Sequence, residues 1–156
     1  MAALLLVGTR KGLFLVRDDS SDGDWTLEGP LLPGWSVFHA IRDGRDGSLQ
    51  IAANNFVYGG TFQRSDDDGK TWRRATNLGL PEESGLKLEE TWHVEPGRRD
   101  GEVWLGATPG TLFRSDDGGE SFEVVRSVLE HPTRDRWQPG AGGMCCHSIQ
   151  LDPSDP

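Results

Sequence analysis

The stretch Arg64-Ser65-Asp66-Asp67-Asp68-Gly69-Lys70-Thr71-Trp72 returns fifty residues later as Arg114-Ser115-Asp116-Asp117-Gly118-Gly119-Glu120-Ser121-Phe122. Self-similarity at a fixed period marks a repeat architecture. Gly60-Thr61 and Gly110-Thr111 keep the same offset upstream, so the repeat covers a strand as well as a turn. A decayed first copy runs Gly12-Leu13-Phe14-Leu15-Val16-Arg17-Asp18-Asp19 and closes on Gly23-Asp24-Trp25.

The residue types fit a tight outer turn. Ser65, Asp67 and their copies Ser115, Asp117 carry side-chain oxygens that accept backbone N–H bonds, while Gly69 and Gly119 supply positive φ. Trp72 and Phe122 then pack over the hairpin. Around these turns each unit divides into four short strands: Ser36 to Ile41, Leu49 to Ala53, Thr61 to Ser65 and Thr71 to Ala75 in the second. The third reads Thr91 to Glu95, Glu102 to Ala107, Thr111 to Ser115 and Ser121 to Val125. The predicted fold class is all-β, a β-propeller of four-stranded antiparallel blades with both faces of each sheet buried.

The S-x-D-x-G-x-[ST]-[WF] pattern, complete twice, resembles the Asp-box (bacterial neuraminidase repeat) family of sialidases, sortilin-type receptors and xyloglucan-degrading enzymes. The resemblance spans residues 4–156 and implies blade 1 at about 3–30, blade 2 at about 36–76, blade 3 at about 91–127 and the first strand of a fourth at about 146–152. Three strands, two full blades and one further strand predict an incomplete propeller, an N-terminal portion of a longer array or half of an assembly. Missing blades or a second copy are then needed to close it.

Composition narrows the partners. Sixteen Lys and Arg stand against 25 Asp and Glu, a formal charge of −9, which repels phosphate backbones and anionic membrane surfaces. No nucleic acid and no membrane are expected. The apolar run from Met1 to Val7 ends at Gly8, too early for a membrane span, and reads as a buried strand. Cys145 and Cys146 are sequence neighbours and predict free thiols, which with no export signal points to the cytoplasm.

The family resemblance places the Asp boxes on the face away from an active site, so Asp67 and Asp117 read as structural, and Asp66, Asp68 and Asp116 as solvated loop charges. A sialidase needs an arginine cluster, a Tyr–Glu nucleophile pair and an Asp acid/base. This chain presents no such complete set, and its one tyrosine, Tyr58, lies in a Gly-rich connection. A glycosidase reading therefore rests on resemblance alone, with the remaining catalytic residues outside this chain.

Three histidines fall at one place in successive leading strands, His39, His93 and His147, at a constant spacing of 54 residues. In a propeller such strands surround the axis, so the imidazoles are expected at the channel mouth. There they suit a divalent metal or a ligand, or else are a duplicated scaffold contact. The connection before His147 adds Arg134, suited to a carboxylate or phosphate, and Trp137, suited to a sugar face, unless the segment is a packed surface lid. The sequence thus predicts a ligand-binding or scaffold module for a small molecule or carbohydrate.

Overall fold

The computed structural model describes residues 3–18 and 24–154. The decayed first box therefore lies partly outside the described residues. The chain is all-β, with eleven strands among the described residues, one short α-helix, α1 (Arg126–Leu129), and two 3-10 turns, Glu82–Ser84 and Arg134–Arg136. Strands β1 (Ala3–Thr9), β2 (Gly12–Asp18) and β3 (Trp25–Leu31) form one antiparallel sheet. β4 (Ser36–Arg42), β5 (Leu49–Asn55), β6 (Gly59–Ser65) and β7 (Arg73–Arg74) form the second. β8 (Thr91–Pro96), β9 (Val103–Ala107), β10 (Thr111–Ser115) and β11 (Glu123–Val124) form the third. Each sheet is a meander in sequence order, as short turns between antiparallel neighbours require.

The second sheet is sandwiched between the other two. Along β5, Leu49, Ile51 and Ala53 face a core shared with Leu13 and Leu15 of the first sheet. The intervening Ala52 joins Phe62, Val94, Val103, Leu105 and Phe113 in a core with the third sheet. Successive strand side chains point to opposite faces, so a strand packed on both sides is apolar throughout or carries bonded polar groups. Gln50 and Asn54 are such groups: the Asn54 amide donates to Thr91 O at 2.9 Å and accepts from Thr91 N–H at 2.8 Å, clamping the second sheet to the third.

The two Asp boxes match bond for bond. Ser65 Oγ accepts from Gly69 N–H at 2.8 Å, and Asp67 Oδ1 accepts from Thr71 N–H at 2.8 Å. Ser115 Oγ accepts from Gly119 N–H at 2.9 Å, and Asp117 Oδ1 from Ser121 N–H at 2.9 Å. The Thr71 and Ser121 hydroxyls donate to the second oxygen of their aspartate. These bonds hold the Asp67 carboxyl down at about 2, the Thr71 hydroxyl and amide contributing most. Burial pushes the Asp117 carboxyl upward, but the Ser121 and Ser115 bonds outweigh it and leave it low.

Each box also packs on the preceding sheet. Gly69 and Gly119 both have φ +88°; a methyl group at Gly69 would meet Leu31 at 2.7 Å, and at Gly119 would strike the Phe62 ring. The aspartates expected as solvated charges are exposed and are also paired: Asp66 with Arg64 at 2.8 Å, Asp116 with Arg114 at 2.6 Å, and Asp68 with Arg42 and with Arg17 of the first sheet. Arginine side chains on the neighbouring strands reach the turn, which the acidic run alone does not reveal.

The expected fourth-unit strand over residues 146–152 does not form. The segment has no partner strand to pair with, and it is held by Cys146 N–H donating to Ala107 O at 3.2 Å.

Candidate functional site

Strand pairing puts the two ends of the sheets to different uses. The Asp boxes and the β4–β5 and β8–β9 turns lie at one end. The long connections and the β5–β6 and β9–β10 turns lie at the other. Between adjacent sheets the leading strands β4 and β8 run side by side.

There, side chains one repeat apart touch. The His39 and His93 rings stack with centroids 4.0 Å apart and planes 22° from parallel. Phe38 meets Trp92 edge-on at 4.8 Å. A bulge recurs at the same place in both leading strands, between Val37 and His39 and between Thr91 and His93, giving the two strands the same local twist.

The histidine pair is anchored asymmetrically. His39 Nδ1 accepts from Val94 N–H at 3.3 Å. Burial, and then the adjacent His93, lower the His39 pKa to about 4, so this ring is neutral at pH 7. His93 Nε2 is buried without a hydrogen-bond partner and lies 3.5 Å from Glu95 Oε2.

His147 does not join them. It is exposed, on the segment that lacks strand pairing, and its ring stacks on neither histidine. Stacked rings present faces to each other, whereas a shared ion needs converging nitrogen lone pairs. One of those lone pairs, His39 Nδ1, is already used. Among the described residues, no group of three or more His, Cys, Asp or Glu side chains is placed to hold a metal ion.

Arg134 and Trp137 lie on a folded lid. The Arg134 guanidinium donates to Gly110 O at 2.9 Å and to Pro109 O, and lies 5.3 Å from the Trp137 ring centre. Trp137 Nε1–H donates to Thr133 Oγ1 at 2.9 Å, and its ring tilts against His131. Two of the arginine's five N–H donors thus pin the lid to the β9–β10 turn. A groove of about 280 Å³ opens beside it between the two long connections.

Several residues at this end were not anticipated. Trp35 stacks on Tyr58 at 5.8 Å with planes 10° apart, and the Arg74 guanidinium lies 4.7 Å from the Tyr58 ring centre. Phe56 is 98% exposed at the tip of the β5–β6 turn. The 54-residue spacing that links the histidines also links Phe38 to Trp92, so that contact was available to a sequence reading. The Trp35–Tyr58–Arg74 stack carries no repeat signal.

Cys145 and Cys146 are free thiols, and burial, then the neighbouring Cys145, pushes the Cys146 thiol up, away from reactivity. Among the described residues no helix is long and apolar enough to cross a membrane. Compared with models of known protein families the chain matches none, and no curated protein sequence matches it.

Proposed function

We propose that the chain is a run of sialidase-like Asp-box blades from a β-propeller, serving as a ligand-binding or scaffold module whose mouth carries Phe38, His39, Trp92 and His93. The observation that carries this reading is the close approach of β4 and β8 to the sheets before them. Sheets packed face to face stand about 10 Å apart, yet a Cβ at Gly8 of β1 would lie 2.5 Å from Val37 O of β4, and one at Gly60 of β6 would lie 2.8 Å from Thr91 N of β8, so the leading strands come into backbone contact with the preceding sheets. Sheets that converge at their leading edges are arranged radially, and the matching boxes at the far end support the same rotation.

The last segment agrees with this arrangement. Cys146 donates its N–H to Ala107 O and its backbone lies against Gly106 of β9, which supports reading residues 145–147 as the start of a next leading strand. The chemistry of the mouth suits a small molecule or carbohydrate: aromatic faces for stacking, and imidazole nitrogens for hydroxyl groups.

Titrating neutral hexoses and a sialic acid into the full chain, while following the imidazole and indole proton resonances, tests the proposal. Shifts are expected at His39, His93 and Trp92. Shifts confined to the Asp-box end, or none with any sugar at millimolar concentration, would remove the ligand-binding role and leave the scaffold.

A further inference from the structure

The repeat assigns a covering to a broad apolar face left open on the first sheet. In the third sheet, Leu105, Ala107 and Phe113 are 0% exposed and Phe122 is 3% exposed, all buried against the second sheet. Strand register identifies their counterparts in the first sheet. Gly8 lies against Val37 O as Asn54 bonds Thr91 O, so the pair Leu6–Leu15 answers to Ala52–Phe62 and Gly106–Leu112, which sets Leu5, Val7 and Val16 at the positions of Leu105, Ala107 and Phe113. Trp25 holds the outer-hairpin position of Phe122. Yet Leu5 is 52% exposed, Val7 42% and Trp25 50%, with Leu27 beside them at 68%.

The matching covering surface is the outward face of the third sheet. In the second sheet, Ala52 and Phe62 cover the third-sheet residues named above, and Phe62 lies against Gly119 and edge-on to Phe122 at 5.0 Å. Register puts Gly106 and Leu112 at the positions of Ala52 and Phe62. One end of the chain therefore displays the socket and the other end the plug of a single interface type. A second vacancy points the same way. β1 pairs with β2 alone, whereas β5 and β9, its counterparts, each also pair with a leading strand. The segment after Met144 reads as the start of a leading strand but has no strand partner.

We propose that the open face and free β1 edge of the first sheet dock the third sheet and the 146–151 segment of a second copy of this chain, head to tail. This rests on the reading of the sheets as propeller blades. A head-to-tail contact forms a ring only when its rotation closes. Two copies of three sheets make six blades, within the usual four to eight, while three copies would make nine. The reciprocal exchange uses both vacancies in each copy and leaves no sheet edge of this type open.

Sedimentation of the full chain over a range of concentrations, together with two variants, tests this. Wild type is expected to be a dimer. Leu27→Glu, on the socket, and Leu112→Glu, on the plug, are each expected to be monomeric at the same concentration, with wild-type circular dichroism. Mixing the two restores a one-to-one dimer, because one interface then joins two unaltered surfaces. In wild type, amide exchange in β1 and in residues 146–151 should slow together as concentration rises, a readout that needs no substitution. A wild-type monomer, or a mixture that stays monomeric while both variants are folded, overturns the proposal. A dimer that persists in Leu112→Glu would mean that two sockets pair face to face, which also overturns it. A monomer with strongly protected strand amides in all three sheets removes only the second copy. A monomer lacking contact between the His39 and His93 rings removes the blade reading itself.

Discussion

The amide N–H of Val94 on one leading strand is donated to the imidazole Nδ1 of His39 on the next, at 3.3 Å, so a main-chain group of the third sheet depends on a side chain of the second. Protonating His39 at that nitrogen would set two donors against each other.

Acid should therefore weaken the fold through this residue. The folded pKa of about 4 lies below the ordinary 6.5. The unfolded chain thus takes up the proton first, and the His39 contribution is complete above pH 6.5 and lost progressively as pH falls toward 4. Thermal melts of wild type and His39→Gln across this range should converge as the pH drops. Parallel curves would show that His39 is not the titrating group.

The Asp boxes should behave as turn staples. Ser115 is buried and its hydroxyl accepts from the Gly119 amide, so Ser115→Ala leaves a buried N–H unpaired. A loss of about 1–3 kcal/mol is expected in urea unfolding, and Ser65→Ala should match it because the bonds match. Sugar affinity at the opposite end should be unchanged in both.

The box glycines differ from other positive-φ glycines in what surrounds them. Gly34 has φ +88° and open space about it, so Gly34→Ala costs only the left-handed backbone, about 1–2 kcal/mol. Gly119→Ala adds a methyl group against the buried Phe62 ring and should cost about 1–3 kcal/mol more. Equal losses in chemical denaturation would mean that the box does not seat on the neighbouring sheet.

For the lid, Arg134→Met removes two bonds to backbone oxygens and the stacking on Trp137. Amide exchange over residues 131–145 should quicken by an order of magnitude or more, while the three sheets keep their protection. Sodium phosphate added to wild type should leave exchange in this segment unchanged, since the guanidinium acts on carbonyl oxygens. Slower wild-type exchange with phosphate would instead favour an anion site.

Much of the fold was legible in the sequence because the repeat records it. β10 has the bounds read from the repeat, Thr111–Ser115, and β4 and β5 extend by one and two residues. β7 and β11 are only two residues long because Thr71 and Ser121 are consumed in bonds to their box aspartates before strand pairing begins. The contact between His39 and His93 followed from equal spacing along the chain. His147 broke the series because position in a repeat fixes a side chain only where a sheet exists to hold it. The task of Arg134 was hidden, since its acceptors are carbonyl oxygens of a turn 24 and 25 residues earlier.

The matched boxes bear on how the molecule comes together. Their bonds join residues two to four apart, whereas those between sheets join residues such as Asn54 and Thr91, 37 apart. Closing a short loop takes less chain entropy than closing a long one. Each meander is thus in a position to form around its own turn before it is laid on the one made earlier. Weakening a box should slow folding, while loosening the Asn54 clamp should mainly hasten unfolding. The order of assembly then runs along the chain, one sheet after another, in the order in which the ribosome releases them.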